Sequence, residues 1–182
     1  FINVLVFEIW LISPTPSKPL RCPTFICLPM WPFKTVCIWT WRLPETVISF
    51  LSTAQLGAIW SSCSSDFGKK AIIDRFKQIE PKVLLFSDYY FYNNKKVDTT
   101  KIIKDVVYNI PSIEKIILIP YEFNETDYQL DFEYDNLYNI LQQEIEYSKF
   151  EKFNFNHPLY ILYSSGTTGV PKCIVHSSGG AL

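Results

Sequence analysis

The residues best suited to chemistry form one short loop. Residues 163–172 read Tyr-Ser-Ser-Gly-Thr-Thr-Gly-Val-Pro-Lys and follow the apolar run 159–162. Glycines let the backbone approach an anion, hydroxyls add hydrogen-bond donors and a lysine supplies positive charge. This composition predicts a loop that binds a polyphosphate through Ser164, Ser165, Gly166, Thr167, Thr168, Gly169 and Lys172.

Two better-known phosphate-binding loops do not fit this spacing. A P-loop has its lysine directly after the second glycine and a serine or threonine after the lysine. Here Lys172 lies three residues after Gly169 and is followed by a cysteine. A dinucleotide-binding fingerprint needs three glycines, and only Gly166 and Gly169 are present. The residue types alone also allow a plain hairpin turn between 159–163 and 173–176.

The complete string Ser-Ser-Gly-Thr-Thr-Gly-x-Pro-Lys resembles the signature loop of the adenylate-forming enzymes, which include acyl-CoA synthetases and luciferases. Three more segments resemble the acetoacetyl-CoA synthetase branch of that superfamily. They are 56–68 (LGAIWSSCSSDFG), 74–82 (DRFKQIEPK) and 171–180 (PKCIVHSSGG). The resemblance runs from about residue 43 to residue 182.

The resemblance implies an α/β fold: a fragment of the large N-terminal domain of an adenylate-forming enzyme, with a partly parallel sheet flanked by helices. It also implies an acid–thiol ligase. Acetoacetate would attack ATP to give an acyl-adenylate and pyrophosphate, and coenzyme A would then displace AMP. The loop would hold the phosphates together with Mg²⁺, and His176 would lie near the acyl pocket. A structural role for His176 is the alternative.

The same resemblance implies that the chain is incomplete. In the family, the residues that hold ribose, adenine and magnesium, and the mobile C-terminal domain, follow the signature loop. We therefore expect the 182 residues alone to be inactive. Another short-chain acyl-CoA synthetase and a catalytically inactive remnant remain alternative interpretations. The parent enzyme is expected in lipid metabolism and ketone-body use.

Composition argues against several other classes of protein. A net charge of −1 without a basic stripe argues against broad nucleic-acid binding. The five cysteines include no Cys-x-x-Cys pair, so neither a disulfide framework nor a zinc site is predicted, and no metal ligand is assigned. The apolar run 1–12 is too short for a bilayer and contains Glu8. We expect small-molecule partners, no membrane span and a cytoplasmic location, with the oligomeric state left open.

Residues 1–42 differ from the rest of the sequence. They are rich in tryptophan, proline and cysteine, carry few charges and show neither a helical nor a strand period. We interpret them as an atypical segment, from translated intron or frameshifted sequence; a Pro/Trp-rich recognition arm is the alternative. Residues 43–182 are then a partial AMP-binding domain that ends just after the phosphate loop.

From residue 44 onward, regular elements can be predicted. Helices are expected at 45–57, 69–79, 99–109 and 136–147, and buried strands at 83–86, 116–119 and 159–163. In the first helix, Val47, Ile48, Leu51 and Ala54 or Gln55 lie along one side. The helix between 83–86 and 116–119 predicts a βαβ unit with parallel strands, and 121–135 reads as a surface loop.

Overall fold

The computed structural model describes residues 35–40, 44–122, 127–142, 152–165 and 169–181. The order of elements within these residues is β1 (Thr35–Trp39), α1 (Pro44–Gln55), β2 (Ile59–Cys63), α2 (Lys69–Ile79), β3 (Val83–Ser87), β4 (Tyr89–Tyr92), β5 (Lys95–Asp98), α3 (Thr100–Asn109), β6 (Lys115–Ile119), β7 (Asp135–Asn136), α4 (Leu137–Leu141), β8 (Pro158–Ser164), β9 (Lys172–Ser177) and α5 (Ser178–Ala181). Strands and helices alternate through most of this order, as expected for an α/β domain.

A seven-stranded sheet runs through the described residues in the order β7-β6-β3-β1-β2-β8-β9. Its pairs are parallel except for β8 and β9, which are antiparallel. Strands β3 and β6 pair in parallel across α3, with Leu84 opposite Ile116. The predicted βαβ unit and the partly parallel sheet are therefore confirmed.

Helices cover both faces of the sheet. Helices α2 and α3 pack on one face, where Phe76 and Ile103 contact a cluster that includes Leu84 and Phe86. The other face carries Val36, Leu85 and Ile117 and packs against α1 and α4. Burial on both faces explains why the central strands are apolar throughout rather than alternating.

Strand β1 lies within residues 1–42, where the sequence shows neither a helical nor a strand period and where no element was predicted. All five residues of Thr35–Trp39 are buried, and the strand lies in the middle of the sheet, between β3 and β2. A short strand that is buried on both faces does not alternate between apolar and polar residues, so it lacks the usual strand pattern. The many prolines before it also argued against a regular element. Residues 1–34 lie outside the described residues, so their interpretation as an atypical segment stays a prediction.

Helix α1 buries a side that the sequence did not indicate. Val47 and Leu51, on the apolar side read from the sequence, are 59% and 45% exposed, whereas Ser49, Ser52 and Thr53 are fully buried. Each of these hydroxyls donates to the backbone carbonyl four residues earlier, so each brings its own hydrogen-bond partner into the core. The small polar side of the helix can therefore pack against the sheet.

Several smaller elements also differ from expectation. The sequence did not predict β2 or the antiparallel hairpin of β4 and β5, whose turn residues Asn93 and Asn94 have positive φ. The presumed loop 121–135 ends in β7. The last predicted helix, 136–147, begins as α4, but residues 143–151 lie outside the described part.

Candidate functional site

The predicted polyphosphate loop connects β8 to β9. Tyr163 pairs with Cys173 and Ser164 with Lys172, so the two strands close the loop as an antiparallel hairpin. Strand β8 also runs parallel to β2, and the loop leaves β8 at its carboxyl end. Ligands of α/β sheets characteristically bind at that edge. The hairpin alternative and the phosphate prediction thus describe the same loop, because a hairpin turn at this edge can also bind a ligand.

The described part of the loop presents polar groups to solvent. Ser165 and Lys172 are exposed, and Ser164 is half-buried. Gly169 has a φ of 134°, a backbone conformation that residues with a Cβ atom rarely adopt. Lys172 forms no ion pair with any residue that the structure describes. The predicted residues Gly166, Thr167 and Thr168 lie outside the described residues.

Tyr163 anchors the first strand of the hairpin. Its hydroxyl accepts a hydrogen bond from Ser61 Oγ at 3.2 Å, and Ser61 Oγ also lies 3.1 Å from the carbonyl oxygen of Ile161. Burial raises the pKa of the Tyr163 hydroxyl above its usual range. The tyrosine therefore stays neutral and joins β8 to β2 beneath the loop.

Helix α2 reaches both strands of the hairpin. The guanidinium carbon of Arg75 lies 4.4 Å from the centre of the Phe67 ring and 5.8 Å from that of Tyr163. One turn later, Gln78 contacts Pro171 and Cys173. The sequence did not predict these supporting contacts, although both helix residues belong to the 74–82 segment that carries part of the family resemblance.

The thiols near the hairpin are packing groups. Burial raises the pKa of Cys37 well above its usual value, and burial raises that of Cys63 to about 12 despite the opposing effect of Arg75. A thiol that remains protonated is neither a nucleophile nor a metal ligand. Across the described ranges, no group of three or more His, Cys, Asp or Glu side chains could hold a metal ion.

His176 lies on the other face of the sheet from Cys173. It pairs with Tyr160 across the hairpin, and the two rings stack with centroids 4.8 Å apart and planes at 28°. This stacking gives the half-buried histidine a packing role. The assignment of His176 to an acyl pocket stays a prediction.

No helix in the portion of the chain that the structure describes is long and apolar enough to cross a membrane.

Comparison with known proteins gives a consistent family. The profile of the family described as "AMP-binding enzyme" matches residues 32–182. Over 154 residues the chain is 40% identical to the acetoacetyl-coenzyme A synthetase of Rhizobium meliloti (strain 1021), a match that covers 78% of this chain and 22% of that protein. It is 39% identical over 145 residues to the acetoacetyl-CoA synthetase of Xenopus tropicalis, covering 76% and 22% respectively.

A solved structure agrees with these sequence matches. The acetoacetyl-CoA synthetase from Streptomyces lividans superposes with a TM-score of 0.78 at 31% sequence identity. The superposition covers 98% of this chain and 24% of that structure. The chain thus spans about a fifth of the length of the curated relatives it matches.

Proposed function

The chain belongs to the family of AMP-binding enzymes, and on that premise we propose that its β8–β9 loop holds the phosphates of ATP in an acid–thiol ligase reaction on acetoacetate. The observation that carries the proposal is the position of the loop. It leaves a parallel strand at its carboxyl end and presents to solvent the ammonium of Lys172, which forms no ion pair with the described residues. The choice of acetoacetate is supported by the names of the relatives alone.

The proposed reaction has two steps. A carboxylate oxygen of acetoacetate attacks the α-phosphorus of ATP, the bond to the bridging oxygen of the β-phosphate breaks, and pyrophosphate leaves. The thiol of coenzyme A, on losing its proton, then attacks the acyl carbon, and AMP leaves with the bonding electrons. The β8–β9 loop serves the first step. Negative charge develops on the departing pyrophosphate, and the hydrogen-bond donors and the lysine of the loop stabilise it.

Each loop residue has a distinct role in this proposal. The hydroxyls of Ser165, Thr167 and Thr168 donate to phosphate oxygens, and Lys172 neutralises part of the charge. Gly169 allows the backbone to turn close to the anion because it adopts a positive φ. Ser164 lies opposite Lys172 in the hairpin, where it fixes the width of the loop.

Mg²⁺ fits this site as a companion of the nucleotide. Hydroxyl and phosphate oxygens are the hard ligands that the ion prefers, and it commonly binds through substrate phosphates with few protein ligands. When bound, the ion would supply additional positive charge to the β- and γ-phosphates.

The activity of the whole enzyme is a proposal about a larger protein. Since the chain spans 22% of its relatives' length, we propose that the 182 residues bind the triphosphate but do not complete the ligase reaction. We also propose that the larger protein acts in the cytoplasm, on ketone bodies and in lipid metabolism. The division into an atypical start and a partial AMP-binding domain is likewise proposed, with β1 assigned to the domain because it lies within the sheet.

Calorimetric titration of the 182-residue chain with MgATP tests the phosphate-binding role. We expect saturable binding that Lys172→Met weakens about tenfold, because one charge-assisted contact is lost. Lys70→Met removes another exposed lysine, which lies in the first turn of α2, and should leave the affinity unchanged. Absence of binding, or equal losses in both variants, would contradict the proposed role of the loop.

Substrate choice needs a separate assay. Exchange of pyrophosphate into ATP should be absent for the 182 residues alone. In the longer protein it should be faster with acetoacetate than with acetate or butyrate. Preference for one of the other acids would indicate another short-chain synthetase, and no exchange with any of them would indicate an inactive remnant.

A further inference from the structure

We infer that Gln78 is a positioning residue for the polyphosphate loop, holding the backbone carbonyl of Pro171 and the thiol of Cys173 on either side of Lys172; the inference rests on the proposed function. Gln78 lies in the last turn of α2 and is half-buried. Its Nε2 atom donates to the carbonyl oxygen of Pro171 at 3.1 Å. Its Oε1 atom accepts from the Sγ atom of Cys173 at 3.6 Å.

These contacts bracket the lysine. Pro171 and Cys173 are its two chain neighbours, so one side-chain amide fixes the residue before it and the residue after it. Side chains alternate along a strand. Cys173 packs towards α2, and the side chain of Lys172 consequently leaves the opposite face and remains exposed.

The amide itself is held in place by its own helix. Gln78 Nε2 also donates to the carbonyl oxygen of Asp74 at 2.6 Å, which restricts the side-chain rotamer. Three residues earlier on the same side of α2, Arg75 lies over Tyr163 of the first strand. Residues three apart on a helix share a face, so one face of α2 supports both strands of the hairpin.

A side-chain amide suits this task better than either related group. It can donate to a carbonyl and accept from a thiol at the same time. A carboxylate in its place keeps the acceptor for Cys173 but loses the donor for Pro171 and Asp74, and it also adds negative charge beside an anion site. A methionine keeps the length of the side chain and loses all three bonds.

Three variants separate these contributions in the 182-residue chain, with Cys22 and Cys27 replaced by serine throughout. Gln78→Met removes all three hydrogen bonds of the amide, and Gln78→Glu removes the two that Nε2 donates. Asn109→Leu is the matched control, because the Asn109 amide donates to the carbonyl oxygen of Asp105 at 2.8 Å, four residues earlier on α3. That amide has no contact with the loop among the described residues.

The probe is inorganic tripolyphosphate, measured by calorimetry. We expect Gln78→Met to raise the dissociation constant about tenfold, from loss of the contacts that position the lysine. Gln78→Glu should raise it further, because the added charge repels the probe. Asn109→Leu should bind as the unmodified chain does.

A second readout reports the contact itself. Alkylation of Cys173 by iodoacetamide should be several-fold faster in Gln78→Met, where the thiol loses the Gln78 acceptor, and slower in Gln78→Glu, where the carboxylate keeps an acceptor and disfavours the thiolate. The buried thiols of Cys37 and Cys63 provide the unreactive reference. Amide exchange at Lys172 should quicken in both Gln78 variants, which a loss confined to α2 would not produce.

The outcomes separate the two claims. If the unmodified chain does not bind tripolyphosphate, the proposed function fails and the inference with it. If the chain binds but Gln78→Met binds equally well, only the role of Gln78 is overturned. Equal losses of affinity in Gln78→Met and Asn109→Leu would indicate general helix destabilisation and would also overturn it.

Discussion

The Nε2 atom of His157 lies 2.9 Å from the carbonyl oxygen of Gly57. This contact joins the turn after α1 to the start of β8. The ring of Phe153 stacks on His157 with centroids 4.4 Å apart. A Cβ added to Gly57 would come within 2.3 Å of Phe153 Cε1, and Gly57 itself has φ of +66°. A single glycine therefore allows both the turn and the aromatic contact beneath it.

Gly57→Ala should consequently destabilise the chain by about 1–3 kcal/mol, from backbone strain and a steric clash together. Urea unfolding followed by circular dichroism measures the loss. Adding Phe153→Leu should recover part of it, because the clash is relieved while the strained φ remains. Gly68→Ser, which places a Cβ in open space, should have little effect. An unchanged unfolding midpoint for Gly57→Ala would contradict this account.

The burial of the polar side of α1, rather than its apolar side, leads to a second prediction. Leu51 is 45% exposed and Ser52 is fully buried. Leu51→Gln should change the free energy of unfolding by less than about 0.5 kcal/mol. Ser52→Leu should cost about 1–3 kcal/mol, because a larger side chain must fit against the sheet. Urea denaturation of both variants tests the orientation, and a larger loss for Leu51→Gln would show that the apolar side faces the core.

The sequence predicted those elements whose side chains follow a simple period. Ile72 and Phe76 are four residues apart on α2, and both are fully buried, as the helical pattern requires. The apolar runs of β3 and β6 were likewise readable. Strand β1 and the buried face of α1 were not, because a strand apolar on both sides has no alternation and because serine can enter a core by bonding to its own helix.

The site divides in a similar way. The phosphate loop is contiguous in sequence, so its residue types and spacing could be recognised directly. Its supports are not contiguous: Gln78 lies 93 residues from Pro171, and Ser61 lies 102 residues from Tyr163. Contacts at such separations depend on how strands and helices assemble, and a single sequence does not encode them as a local pattern.

Gly169 offers a test of the loop backbone. Its φ of 134° strains any residue with a Cβ, although the space around the glycine is open. Gly169→Ala should change the melting temperature little, because the free loop can relax into the open space, and should weaken the binding of MgATP about fivefold to tenfold, because the bound loop must adopt the strained conformation. Gly68→Ser again serves as the control. Equal affinity in Gly169→Ala and the unmodified chain would show that the bound loop does not need this conformation.

The buried thiol of Cys63 makes stability depend on pH in the alkaline range. Its pKa is raised from 9.0 to about 12 in the folded chain, mainly by burial. Between these values the folded state keeps the proton and the unfolded state releases it. The contribution of the Cys63 thiol to the free energy of unfolding is therefore complete below about pH 9. It is lost as the pH rises towards 12, by about 1.4 kcal/mol per pH unit.

Comparing the slopes of the free energy of unfolding against pH separates the contribution of Cys63 from that of the other groups that titrate at alkaline pH. The free energy of unfolding should fall less steeply between pH 9.5 and 11 in Cys63→Ala than in the unmodified chain, by about 1.4 kcal/mol per pH unit. Ser62→Ala, at the preceding position of β2, removes a group that does not titrate and should leave the slope unchanged. Because only the slope is compared, any constant cost of the cavity at Cys63 cancels. Parallel pH profiles for Cys63→Ala and the unmodified chain would show that the thiol titrates alike in both states, and hence that the strand is not packed beneath the loop as described.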